Sequence, residues 1–160
     1  MNMKTFFSAA AAGVLSLTAI AAMPASAVAG ACPADKAGVD VRAMDATPAK
    51  DVTDTVITSI DVAKEPAHIE GRLFRLRRLT ILPGGVVPWH SHADRPAIIY
   101  VVSGVVTEYA SSCSVPIVHR AGDATPELHV TSHWWKNTGK TTAVLLSADL
   151  LPVNADPHMM

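Results

Sequence analysis

From residue 54 onward the chain contains short segments rich in β-branched residues, and this feature most limits the folds open to it. The predicted strands are 55–60, 72–82, 86–92, 97–103, 105–110, 115–120, 127–133 and 142–148. Nowhere after Gly71 do apolar residues recur with the i, i+3, i+4 spacing of an amphipathic helix. Pro83, Gly84 and Gly85 predict a turn. Many short strands at regular spacing indicate an all-β sandwich or a small barrel.

The first 27 residues have the pattern of a secretory signal peptide. Lys4 supplies a positive start, residues 6–23 are almost wholly apolar or small, and Ala25-Ser26-Ala27 has the small-x-small pattern of a cleavage site. Polar residues interrupt the apolar run and Pro24 closes it, so we expect no stable membrane anchor. The prediction is a protein cleaved after Ala27 and located in the periplasm or secreted.

The mature chain has the length and charge of one small domain. Removal of 27 of the 160 residues leaves 133, and removal of Lys4 leaves 12 basic against 14 acidic side chains, a net charge of −2. A slightly acidic chain has no electrostatic basis for binding nucleic acid. We divide the chain into a signal peptide (1–27), an N-terminal arm or tail (28–53), a barrel domain (54–150) and a C-terminal tail (151–160).

Two cysteines, Cys32 and Cys113, remain after processing. In an oxidising compartment they can pair, and closing so long a loop would contribute roughly 4 kcal/mol to stability. Alternatively, one thiol lies on a free N-terminal tail and the other in a surface loop. The sequence does not decide between these alternatives.

Three histidines give the strongest indication of chemistry. His90 and His92 are one residue apart, so on a strand both side chains point to the same face. His133 lies on a later segment, four residues before Asn137. Neutral imidazole is the commonest metal ligand among side chains, and a third ring from a neighbouring strand would complete a three-sided site. We predict one divalent metal ion bound by His90, His92 and His133.

The spacing around the first two histidines resembles the first motif of the cupin superfamily. That motif is Gly, five residues, His-x-His, three or four residues, Glu, six residues, Gly. The matching positions in this chain are Gly84, His90, His92 and Gly104. The glutamate position holds Ala97, or Pro96 in the shorter spacing.

The region around His133 resembles the second cupin motif, which is Gly, five residues, Pro-x-Gly, two residues, His, three residues, Asn. Gly122, His133 and Asn137 match, whereas Leu128 and Val130 replace the proline and the second glycine. The resemblance covers roughly residues 54–150. It implies an all-β fold, a small double-stranded β-helix or jelly-roll barrel of the cupin type.

The missing glutamate changes what the resemblance implies about the metal. Three neutral imidazoles carry no charge to offset a dication, and they leave more coordination positions open. Some cupins that resemble this arrangement, notably thiol dioxygenases, use a three-histidine iron site. For this chain the ion could be Fe, Mn, Zn, Ni or Cu.

The resemblance therefore implies a small-molecule metalloenzyme of dioxygenase type. Two alternatives stay open: a non-catalytic protein that binds a metal or a small ligand, and an isomerase or lyase with a redox-inert metal. The expected partner is a small-molecule substrate or ligand, and a homodimer is compatible with the sequence.

Catalytic groups beyond the ligands are only weakly indicated. Tyr100 could donate a proton inside the barrel. Arg75 and Arg77 share one strand face and Arg78 the other, so one of them could bind a substrate carboxylate. For most of these arginines, however, we expect an exposed position at a solvated strand edge.

A fourth metal ligand is a further open question. Glu127 or His129 would point the same way as His133 if the segment between them were extended. His119 has no motif around it, and we expect it to be exposed.

Overall fold

The all-β prediction is confirmed by the computed structural model, which describes residues 30–45 and 48–156. The predicted signal peptide lies outside these residues. The strands are β1 (Lys50–Asp61), β2 (Arg72–Ser91), β3 (Ala97–Ser103), β4 (Val105–Ala110), β5 (Ile117–Arg120), β6 (Ala124–Glu127), β7 (Ser132–Asn137) and β8 (Ala143–Pro152). Short 3₁₀ helices occupy Ala34–Lys36 and Val62–Lys64. Over the described ranges, no helix has the length and apolar character needed to span a membrane.

Strand β2 is shared by the two halves of one curled antiparallel sheet. The strand order is β5-β4-β7-β2-β8-β3-β6, and β1 pairs with the free edge of β2. The first half of β2 pairs with β8, and the second half pairs with β7. The jelly-roll architecture follows, because the long strand passes from one half of the sheet to the other and both halves face a common interior.

The prediction of a turn at Pro83, Gly84 and Gly85 is wrong, because β2 continues through these residues. Residues 82–85 stand opposite a single residue of β1, Asp51, which makes this stretch a β-bulge. Gly84 has a φ of +78°, and a Cβ on Gly85 would lie only 2.7 Å from the carbonyl oxygen of Asp51. The two glycines therefore bend the strand instead of reversing it.

Asn137 closes the same corner from the other side. Its Nδ2 donates to the carbonyl oxygens of Ile81 and Thr141, each at 2.8 Å. Its Oδ1 accepts from the backbone N–H of Gly139 at 2.9 Å. Asn137, the asparagine of the second motif, thus replaces backbone pairing at the point where the partner of β2 changes from β8 to β7.

The core lies between the two halves of the sheet. Alternate residues of β2, β3 and β8 face it, as the two-residue period of a strand requires. The main buried cluster consists of Leu79, Ile81, Val87, Ala97, Ile99, Val101, Val106, Trp135, Ala143 and Leu145. These side chains fill one part of the interior, and the charged groups described below fill another.

Cys32 and Cys113 form a disulfide with a Cα–Cα distance of 5.9 Å, which decides between the two alternatives that the sequence left open. The N-terminal arm lies along the loop after β4. Ala37 forms a β-bridge with Cys113, and the N–H of Gly38 donates to the carbonyl oxygen of Ser112 at 3.0 Å. The described part of the arm is therefore packed on the domain.

Replacement of Asn137 by alanine should destabilise the fold strongly. The change leaves two carbonyl groups and one N–H without their partner in a buried corner, and we expect the free energy of unfolding to fall by about 2–4 kcal/mol. Urea denaturation would measure the loss. Asn154→Ala changes an exposed asparagine and should stay within about 0.5 kcal/mol of the wild type. Equal responses of the two variants would contradict the role of Asn137 at the corner.

Candidate metal centre

The structure brings His90, His92 and His133 together at one end of the interior. His90 lies near the end of β2, and His92 lies directly after that strand. His133 lies on β7, directly opposite His90. The Nε2 atoms of His92 and His133 are 3.1 Å apart, those of His90 and His92 3.1 Å, and those of His90 and His133 3.0 Å. His92 and His133 are buried, and His90 is partly exposed. Three ring nitrogens therefore converge on one point.

Hydrogen bonds on the opposite side of each ring fix which nitrogen carries the proton. Each Nδ1 faces an oxygen acceptor: Pro88 O at 2.9 Å for His90, Arg95 O at 2.8 Å for His92 and Glu108 Oε1 at 2.8 Å for His133. Carbonyl and carboxylate oxygens only accept, so each Nδ1 holds the hydrogen and each Nε2 presents a lone pair. The three lone pairs cannot satisfy one another.

Burial also keeps the rings neutral. It lowers the pKa of His90 well below its ordinary value and lowers the pKa of His92 to about 4, and charge on His133 acts in the same direction. At neutral pH these two rings thus carry no second proton. A cation at the point of convergence is the group that would satisfy all three lone pairs at once.

The spacing of the three nitrogens fits a metal ion. Imidazole binds a divalent metal such as zinc at about 2.0–2.1 Å, which places two ligands at right angles about 2.8–3.0 Å apart and two tetrahedral ligands about 3.3–3.4 Å apart. The observed 3.0–3.1 Å lies close to the right-angled arrangement. Three ligands at right angles occupy one face of an octahedron, and the opposite face stays available to other ligands.

The two suggested fourth ligands do not join this triangle. The predicted strand 127–133 is wrong, because β6 ends at Glu127 and β7 begins at Ser132. His129 is exposed in the intervening turn. Glu127 is buried, but its Oε2 lies 3.5 Å from Nδ1 of His133, behind the ring. Ala97, in the glutamate position of the first motif, is buried on β3 and paired with Glu127.

A second polar cluster lies behind His133, and sequence reasoning missed its central residue, Glu108. The other oxygen of Glu108 is 2.9 Å from Nε2 of His119. Burial opposes the charge, yet hydrogen bonds from His119 and His133 lower the pKa of Glu108 to about 2. Burial and the negative charge of Glu108 raise the pKa of Glu127 to about 9. His119 is fully buried, so the expectation of an exposed side chain is wrong.

Arg75 and Arg77 point into the barrel, and only Arg78 is exposed. The expectation of a solvated edge is therefore wrong for two of the three arginines. Asp149 on β8 lies directly opposite Arg75 and binds it through two hydrogen bonds, from Nε at 3.0 Å and from Nη2 at 2.7 Å. This buried carboxylate is the reason that a charged side chain can face the interior.

Arg77 belongs to the same buried network and also reaches the metal side of the barrel. It forms ion pairs with Asp54 and with Asp149. Asp149 thus contacts three arginines, Arg75, Arg77 and Arg95, the last at 2.8 Å. Nη2 of Arg77 also donates to the Ser147 hydroxyl at 3.2 Å. Burial lowers the pKa of Arg77, whereas both carboxylates raise it. A guanidinium group stays charged under these conditions.

A cavity of about 20 Å³ lies between Arg77 and His90. Its walls are formed by Arg77, Leu79, Val87, His90, Ile99, Trp135, Leu145 and Ser147. This space holds about one water-sized group. A positive charge and a metal-facing imidazole thus share a small cavity with mostly apolar walls.

The two weak catalytic candidates occupy different places. Arg75 is buried two residues before the cavity-lining Arg77, on the same face of β2, and is bound by Asp149. Tyr100 is 44% exposed, between the inward-facing Ile99 and Val101. The structure therefore places Tyr100 on the outer face of β3, and a catalytic role for either residue stays a prediction.

Comparison with known proteins agrees with the motifs and with the fold. The family model of the Cupin domain matches residues 77–149. No curated protein matches the sequence. A predicted oxalate decarboxylase from Thermotoga maritima has a similar fold, with 22% identity and a TM-score of 0.50 over 62% of this chain and 80% of that one.

Two other solved structures are similar to this chain. A Klebsiella pneumoniae protein with a double-stranded β-helix domain has 17% identity and a TM-score of 0.51 over 66% of this chain and 81% of its own. A recombinant oxalate oxidase in complex with glycolate has 22% identity and a TM-score of 0.50 over 85% and 74%. Likenesses at these identities show the fold alone. The match to the family model identifies residues 77–149 as a cupin domain.

Proposed function

We propose that this protein is an exported, metal-dependent cupin enzyme of dioxygenase type that acts on a small carboxylic acid. The observation that carries the proposal is the convergence of three imidazole lone pairs beside a cavity with a buried guanidinium group in its wall. His90, His92 and His133 would hold one divalent ion. When bound, a redox-active ion supplies Lewis-acid and oxygen-activating chemistry.

The residues around the cavity supply substrate binding and orientation. Arg77 offers a planar fork of N–H donors that suits a carboxylate, and Asp54 and Asp149 hold that fork in place. The apolar walls, with Trp135 among them, limit the water that reaches the reacting groups. A carboxylate bound by Arg77 would keep the rest of the substrate beside the three histidines.

The size of the cavity and the two oxalate-related structures support a substrate of few heavy atoms. A space for about one water-sized group admits an organic molecule only when its walls move, and a substrate of few heavy atoms requires the smallest movement. One similar structure is a predicted oxalate decarboxylase, and another is an oxalate oxidase in complex with glycolate. Oxalate and glycolate are therefore the first probes to use with this protein.

A second candidate function is metal or small-ligand binding without catalysis. The narrow cavity favours it, because a closed interior can hold an ion and still lack room for a substrate. An isomerase or lyase with a redox-inert metal is the third. Elemental analysis of natively purified protein separates them: iron favours oxygen chemistry, zinc or manganese the redox-inert enzyme, and no metal the binding of another small ligand.

The three-histidine site is tested by the affinity for the first equivalent of Zn²⁺. His92→Ala leaves two ligands, so we expect a loss greater than the roughly 10–100-fold that follows removal of a supporting group. Competition with a coloured chelator measures it. His129→Ala, which changes an exposed histidine, should leave the affinity unchanged. Unchanged affinity in His92→Ala would place the first ion elsewhere.

Binding of a carboxylate is tested by oxygen uptake of the Fe²⁺-loaded protein with oxalate or glycolate. Arg77→Lys keeps the charge beside Asp54 and Asp149 but loses the fork, and we expect KM to rise about tenfold or more at unchanged iron content. Arg78→Gln on the outer face of the strand is the control. Uptake with an unchanged KM would contradict the role of Arg77, and absence of uptake in loaded protein would favour the binding function.

Export is tested by the mass of the native protein. The apolar segment that ends in Ala25-Ser26-Ala27 supports cleavage after Ala27. We expect intact-mass spectrometry of the periplasmic or secreted fraction to find a chain that begins at Val28. A full-length chain retained in the membrane fraction would overturn this proposal.

A further inference from the structure

The ring of His133 has polar partners on both sides. Its Nε2 faces the other two histidines, as described above. Its Nδ1 lies 2.8 Å from Oε1 of Glu108 and 3.5 Å from Oε2 of Glu127. All three side chains are at most 5% exposed, and they offer ligand atoms within 4.8 Å of one another. Two carboxyl groups and a ring nitrogen thus share one buried space.

One oxygen of this cluster is left without a partner. Oε1 of Glu127 is buried and makes no hydrogen bond to any residue that the structure describes. Within the described ranges, the nearest polar contact of this carboxyl group is the one from its Oε2 to Nδ1 of His133, at 3.5 Å. Glu108 differs, because its oxygens accept from His119 and His133. A buried carboxyl oxygen of this kind is costly unless a donor or a cation binds it.

We propose that Glu108, Glu127 and Nδ1 of His133 form a second divalent cation site, next to the three-histidine site and joined to it through His133. The separations fit such an ion. With metal–ligand bonds of about 2.1 Å, ligand atoms 2.8 Å and 3.5 Å apart subtend angles of about 85° and about 110°. These angles lie within the range of octahedral and tetrahedral coordination.

The ligand set selects the class of ion. Carboxylate oxygens together with one imidazole suit Zn²⁺ or Mn²⁺, and a dication offsets the charge of two carboxylates. Binding replaces the hydrogen on Nδ1 of His133 and any proton on Glu127, and these protons pass to the solvent. The ring then bridges two ions, with Nε2 on the first and Nδ1 on the second. The site shares this ring with the proposed function but does not need the proposed chemistry.

An approach for the second ion exists on the side of the N-terminal arm. A cavity of about 290 Å³ is lined by Glu108, Glu127 and arm residues that include Gly30 and Cys32. The Cys32–Cys113 disulfide holds the arm at this cavity. It lies apart from the small cavity beside His90, since the two share no lining residue. The approach to the second site is thus separate from the small cavity beside His90.

The test is a Zn²⁺ titration of the metal-free mature protein at neutral pH, with bound zinc counted by elemental analysis. The wild type should bind two equivalents. Glu127→Gln keeps the shape of the side chain but removes its charge, and it should keep the first equivalent and weaken the second at least tenfold. His90→Ala should weaken the first and keep the second, and the double variant should lose both. Glu70→Gln, an exposed matched control, should bind two.

The outcomes separate this proposal from the proposed function. One equivalent in the wild type that His90→Ala removes and Glu127→Gln keeps would overturn the second site alone. Two equivalents unaffected by Glu127→Gln would overturn it as well. Loss of both equivalents in a folded Glu127→Gln variant would place Glu127 in the first site instead. If thermal melting shows that this variant is unfolded, Glu127→Asp, which shortens the side chain, should show the same selective weakening.

Discussion

The bend in β2 is the constraint on which the site depends. One strand carries Arg77 on the inner face of one half of the sheet and His90 on the inner face of the other half. The backbone can pass between these halves without a break because Gly84 adopts a positive φ and Gly85 leaves no space for a side chain. Asn137 then supplies the hydrogen bonds that the interrupted ladder lacks. Geometry at this corner therefore sets the distance between the guanidinium group and the imidazoles.

Charged side chains inside the barrel are balanced around a single carboxylate. Asp149 receives hydrogen bonds from Arg75 and Arg95 and an ion pair from Arg77, which in turn also contacts Asp54. Three guanidinium groups thus share two carboxylates in the interior. Loss of any one member would leave its partner buried and uncompensated, which costs more than the intact network contributes. The guanidinium group of Arg77 lies beside the small cavity and supports the proposed carboxylate ligand.

Features with a local pattern were predictable, and features that depend on distant strand pairing were not. The β-branched content of 97–103 and 105–110, separated by Gly104, predicted strands with the observed bounds, and the motif spacing of the histidines predicted that the three rings meet. Pro83-Gly84-Gly85 fits both a turn and a bulge, and only the neighbouring strand decides. In the sequence, Glu108 is a single acidic residue in a short strand, and nothing beside it indicates a functional role. Its contact with His133 arises from the pairing of β4 with β7, which no local pattern contains.

The three histidines are held by unequal acceptors, and this inequality gives the site a direction. Two rings donate to backbone carbonyl groups, whereas His133 donates to a buried carboxylate. His90, in contrast, is the partly exposed ring. A bound ion would therefore have one ligand near the solvent and one held from behind by a buried carboxylate. A competing ligand that enters from the solvent would reach the side of His90 before it reached His133.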